Sequence, residues 1–170
     1  IGLIIQKCSC DLSYIHVYVD ILHHFQQRFA SHVLQSVNTF ICDFVTNLPF
    51  QIHALNENLE EGNNLSVFLK QKKEIYNLHK AICILLSKNV SNIPPQNYMY
   101  HLNRVFSRTE LNTEVFDIFI HLLYDFLLIH TCPQVRSNIH TFISELFDDK
   151  NMDWRSKKTE FKMQDIQSLL

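Results

Sequence analysis

A chain of 170 residues with 46% hydrophobic and 19% charged residues has the composition of a folded domain, which excludes a disordered or low-complexity polypeptide. Its formal net charge of −2 excludes a global basic footprint for a phosphate backbone, so nucleic acid is not an expected partner. With 2 Gly and 4 Pro there is little material for tight hairpins, which argues against a many-stranded sheet and for an all-α fold.

The opening residues 1–5, Ile-Gly-Leu-Ile-Ile, have no initiator Met and no basic segment, and read as the cut edge of a longer protein. From Asp11, an N-cap residue type, Leu12, Ile15, Val19, Leu22 and Phe29 recur at helical spacing. Ser31 would cap a second helix through Val33, Val37, Ile41, Phe44 and Leu48 that stops before Pro49. With no Gly or Pro between them, the two can equally form one bent helix. Residues 56–64, acidic and turn-rich, form the expected loop. A third helix starts at Ser66 and places Phe68, Ile75, Leu78, Ile82 and Leu85 on one side. Its early Lys70, Lys72 and Lys73 oppose the helix dipole and are expected to face water. After Pro94 and Pro95 comes a short helix over residues 96–106, then two longer ones. Residues 1–147 are therefore expected to form a single all-α domain, and residues 148–170 a polar tail with a terminal helix carrying Phe161, Met163 and Ile166. The apolar ends, residues 1–5 and 166–170, are expected to dock on the remainder of the parent chain.

The most orderly signal lies in residues 112–147. A helix with Leu122, Leu123, Phe126 and Leu127 on one face is followed by Cys132-Pro133-Gln134-Val135-Arg136, then by Ile139, Ile143 and Leu146. This segment resembles a HEAT or armadillo-type repeat, whose turn reads as a polar linker, Pro, any residue, Val, Arg and a Leu-rich helix. The resemblance implies antiparallel helical hairpins in an armadillo-like stack or a multi-helix bundle, used as a protein-binding scaffold. It also implies a structural Arg136 that reaches an acid or a carbonyl. Such repeats stack through small residues, whereas Ala occurs here only at Ala30, Ala54 and Ala81 and Phe occurs 13 times, which favours irregular hairpins.

Ten histidines raise a metal reading: His16, Asp20 and His23 share a helix face, with Cys8 or Cys10 as a further ligand. The simpler reading is a solvated face, because no zinc-type spacing is present. Asp117, His121 and Asp125 repeat the pattern in an apolar helix, where a His–Asp bond ordering the helix is expected. There is no nucleophile elbow and no glycine-rich phosphate loop, so the expectation is a non-catalytic chain without cofactors. Five scattered cysteines, an odd number, suit a reducing intracellular compartment, cytoplasm or nucleus. The sequons Asn64-Leu65-Ser66 and Asn89-Val90-Ser91 keep a secreted cytokine-like helical bundle open as the alternative, with a His-based metal-binding helical protein below it. The expected partner is a protein, or the rest of the parent chain. The candidate interface residues are Tyr98, Tyr100 and Trp154, with Lys70, Lys72 and Lys73 as a basic patch. The longest apolar stretches are about a dozen residues, short of the roughly 20 a membrane span needs.

Overall fold

The computed structural model describes residues 1–60, 65–108, 112–148 and 156–170, without the side chains of residues 9, 58–60, 138, 141–143 and 145–148. The described residues contain helices and no strand: α1 (Gly2–Cys10), α2 (Ile15–Glu60), α3 (Leu65–Ser87), α4 (Pro95–Phe106), α5 (Thr113–Ile129), α6 (Pro133–Asp148) and α7 (Lys157–Leu169). The all-α fold class is thus correct. No helix among the described residues is long and apolar enough to cross a membrane. The chain divides into two compact units, Ile1–Pro94 and Pro95–Leu170.

In the first unit α1, α2 and α3 pack on one another. α1 follows no strong periodicity; Ile5 and Cys8 are its buried residues. Burial pushes the Cys8 thiol up to about 11, because the charged thiolate is desolvated there. Ile5 is covered by the helices of its own unit, while Leu3 is 78% exposed. Asp11 does not cap α2 through its side chain. It precedes a single 3-10 turn, Leu12–Tyr14, that leads straight into the long helix.

The bent-helix alternative holds for α2. It is continuous from Ile15 to Glu60 except for non-helical torsions at Phe29 (φ −131°, ψ 43°). The bend falls where the buried face is interrupted: residues 27–32 are all exposed, so no core contact opposes a change of direction. The expected stop before Pro49 does not occur. Proline inside a helix costs about 3 kcal/mol. Beyond it, however, Ile52 and Leu55 continue the buried row of Val33, Val37, Ile41, Phe44 and Leu48. Burying two such side chains contributes about 3–6 kcal/mol, enough to carry the helix through.

α3 ends by backbone geometry, not by proline. Asn89 takes a left-handed conformation (φ 54°), Asn89 N–H donates to the Leu86 carbonyl and Val90 N–H to the Leu85 carbonyl. With Val90 fully buried, this is a Schellman cap whose left-handed position is held by Asn instead of Gly. The following loop is tied back to α2. Ser91 Oγ donates to Asn38 Oδ1 at 2.7 Å, and Asn38 Nδ2 donates to Asn92 Oδ1 at 2.6 Å.

In the second unit α5 packs on α7 and α4 on α6. α5 is buried all round over Val115–Ile120, where five of the six residues are apolar and the sixth is Asp117. Asn112 caps it by accepting from Val115 N–H at 2.9 Å, and Ser156 caps α7 by accepting from Thr159 N–H at 3.1 Å. Phe106 of α4 and Phe119 of α5 have ring centroids 4.5 Å apart. Arg136 Nη2 donates to the Leu127 carbonyl at 3.1 Å, so this arginine ties the start of α6 to the end of α5. α7 buries Thr159, Met163 and Ile166 in this unit, whereas Phe161, the third apolar residue expected on this helix, is 66% exposed.

Candidate interaction surface

The straight arm of α2 before Phe29 has two apolar faces where a helix on the surface of a small domain needs one. Ile15, Val19 and Leu22 point into the first unit and are buried. At 100° per residue, Val17, Ile21 and Phe25, together with Tyr14 in the turn leading into the helix, fall within an arc of about 80° on a different side. Their exposures are 59% for Tyr14, 54% for Val17, and 38% each for Ile21 and Phe25. Phe29, half exposed at the bend, extends the row, with its ring centroid 6.3 Å from that of Phe25. Single exposed apolar residues need no explanation, but a continuous row of five, three of them aromatic, is a candidate contact surface. Exposed polar residues border the stripe: His16, Asp20, His24 and Arg28.

The residues singled out in the sequence lie elsewhere. Tyr98 is buried in the core and cannot anchor a partner. Tyr100 is exposed, edge-on to His101 at 5.8 Å. Trp154 and the sequon residue Asn64 lie outside the described residues. Lys70 and Lys73 are exposed at the start of α3, while Lys72 folds its Nζ over the Phe68 ring, 5.6 Å from the centroid. Counting Leu12, Ile15, Val19, Leu22 and Phe29 as one apolar face hides the stripe, and Phe29, 50% exposed, belongs to the stripe and not to the buried face. The signal that could have found it was the second apolar set, at 14, 17, 21 and 25.

The His and acid ladders separate. His16, Asp20 and His23 all face solvent, and no group of three or more His, Cys, Asp or Glu among the described residues is placed to hold a metal. Asp117 is buried on α5 and meets Lys158 Nζ of α7 at 3.5 Å. Lys162 Nζ of α7 lies 3.6 Å from the Tyr124 ring centroid. This ladder therefore faces the two lysines of α7, a partnership the α5 sequence alone did not reveal. His121 sits among them with its pKa lowered, first by burial and then by Lys162 and Lys158, against the opposing pull of Asp117 and Asp125.

A pH dependence follows. A histidine whose folded pKa is lowered binds fewer protons than in the unfolded chain. Its contribution is complete above the ordinary histidine value of about 6.5 and is lost as pH falls through that value to the lowered one. The fall in thermal midpoint between pH 7.5 and 5.5 should be smaller in His121→Asn than in the parent chain; superimposable profiles would remove His121 from the account.

One further pair was missed in the sequence: Cys83 Sγ and His79 Nε2 on α3, one turn apart, at 3.3 Å. A thiol beside an imidazole is the arrangement of a cysteine nucleophile and its base. Both residues are fully buried, however, so no substrate reaches them, and the contact instead helps to satisfy a core histidine. A shallow hollow of about 500 Å³ at the start of α6 contains Thr131, Arg136, Ser137 and His140, with Arg136 already engaged by the Leu127 carbonyl.

With this geometry in hand, likeness to known proteins adds nothing further. No family model, no curated protein and no solved structure matches the chain.

Proposed function

We propose that this chain is a non-catalytic protein-interaction domain of a larger intracellular protein, with the exposed face of the α2 arm as its docking surface. The observation that carries the reading is the row Tyr14, Val17, Ile21, Phe25 and Phe29 beside a fully buried row on the same helix. The enclosure of the Cys83–His79 pair supports a binding role over a catalytic one. The Arg136 contact to the Leu127 carbonyl is what a helical-repeat scaffold would use at its inter-helix turn, and it supports that part of the reading. All five cysteines are free thiols, Cys8 and Cys83 buried and Cys10, Cys42 and Cys132 exposed, which favours a reducing compartment over the secreted-bundle alternative.

The test is capture from cell lysate with the parent chain and with Val17→Asp/Phe25→Asp, followed by mass spectrometry. Both substituted positions are exposed and point away from the core, so the variant should keep its helical content. Proteins enriched by the parent and lost from the variant support the docking surface. An identical set from both proteins would contradict it.

A further inference from the structure

The stripe on α2 is self-complementary. We infer that it pairs with the same stripe of a second copy of this chain, antiparallel about a two-fold axis through Ile21. The inference rests on the reading of the stripe as a docking surface and names its occupant.

A two-fold axis at residue 21 places residue 21 + n of one copy opposite residue 21 − n of the other, because a helix turned end over end about a residue superimposes positions equally far on either side. Ile21 then meets Ile21 of the second copy. Val17 meets Phe25, a short side chain against a long one, and it does so twice. Arg28, exposed at the end of the arm, meets the exposed Tyr14, setting a guanidinium against an aromatic ring at both ends. The charges decide between orientations. In the antiparallel pair the two Arg28 side chains stand about 21 Å apart, well beyond the Debye length of about 8 Å. A parallel pair in register would set them face to face, with each Tyr14 against its own copy.

The area agrees with a weak, specific pair. The four paired side chains Tyr14, Val17, Ile21 and Phe25 offer on the order of 100 Å² each, or about 400 Å² per copy and about 800 Å² in all. That is the size of a small, transient interface and predicts concentration-dependent association, not a permanent dimer.

Sedimentation equilibrium of the whole chain from about 1 to 200 µM is the experiment, a range that brackets micromolar dissociation. The parent's weight-average mass should rise from 20.1 kDa towards twice that value. Ile21→Asp, which sets two carboxylates together at the axis, should stay monomeric with an unchanged circular dichroism spectrum. Arg28→Glu, on an exposed position, should weaken association about tenfold and serves if the first variant fails to fold. With Cys10, Cys42 and Cys132 changed to Ser, Ile21→Cys should form a disulfide-linked dimer under copper phenanthroline, and Tyr14→Cys should not. A parent that is monomeric throughout, association untouched by Ile21→Asp and Arg28→Glu, or equal cross-linking through Tyr14→Cys would each overturn the pairing. A monomer whose lysate capture still depends on the stripe would overturn the second copy and leave the docking surface standing.

Discussion

Phe119→Ala is expected to cost the second unit about 3–5 kcal/mol of stability, the range for removing a buried phenylalanine and leaving a cavity. The site offers little relief. Phe119 is 2% exposed, its neighbours Ile118 and Ile120 are buried as well, and its ring stacks on Phe106 at 4.5 Å. Loss of that ring pair adds about 0.5–1.5 kcal/mol beyond the area term. Against a total of about 5–15 kcal/mol for a whole domain, the variant should unfold at a markedly lower denaturant concentration in urea titration. A midpoint within error of the parent's would mean that α4 and α5 do not pack as described.

The second large effect is local. Ile166→Ala should cost about 2–5 kcal/mol, but it should appear as release of α7 and not as collapse of the unit. A helix of 13 residues is marginal in water on its own, so α7 is helical because it is docked. Its buried contacts are few: Thr159, Met163 and Ile166, supplemented by Lys158 on Asp117 and Lys162 over Tyr124. The Lys158–Asp117 pair, buried on the aspartate side and open on the lysine side, is worth less than the apolar contacts, since solvent screens Lys158. Amide exchange in α7 should therefore accelerate about thirtyfold or more, while the amides of α4 in the same unit keep their protection. Equal acceleration in both helices would show that the two do not open separately.

The elements legible in the sequence were those with one strong apolar face and clear punctuation. α5 has Asn112 before it and an apolar body, α6 has Pro133 in its first turn, and α4 follows Pro94 and Pro95. What was not legible depended on partners distant in sequence. Among its described side chains α1 buries Ile5 and Cys8, too little to produce a periodic pattern, and it is held by α2 and α3. Pro49 reads as a stop, yet the row beyond it outweighs its cost. Phe29 marks the bend with no Gly or Pro, because the bend reflects missing burial around it. The Asp117–His121–Asp125 ladder was visible, but its lysine partners on α7 are about 40 residues away and no local spacing announces them. The α2 stripe was hidden by success: one set of residues already explained a helix, so the second was not counted.

Whether the α2 arm keeps one apolar face for the core and presents the other to a protein can be read from hydroxyl-radical labelling of the whole chain at several concentrations. In dilute solution Tyr14, Phe25 and Phe29 should be oxidised readily, while Leu22 and Ile15 stay protected. Raising the concentration should protect the first set and leave the second unchanged. If Tyr14 and Phe25 are as protected as Leu22 in the dilute chain, the stripe belongs to the core and the docking surface does not exist.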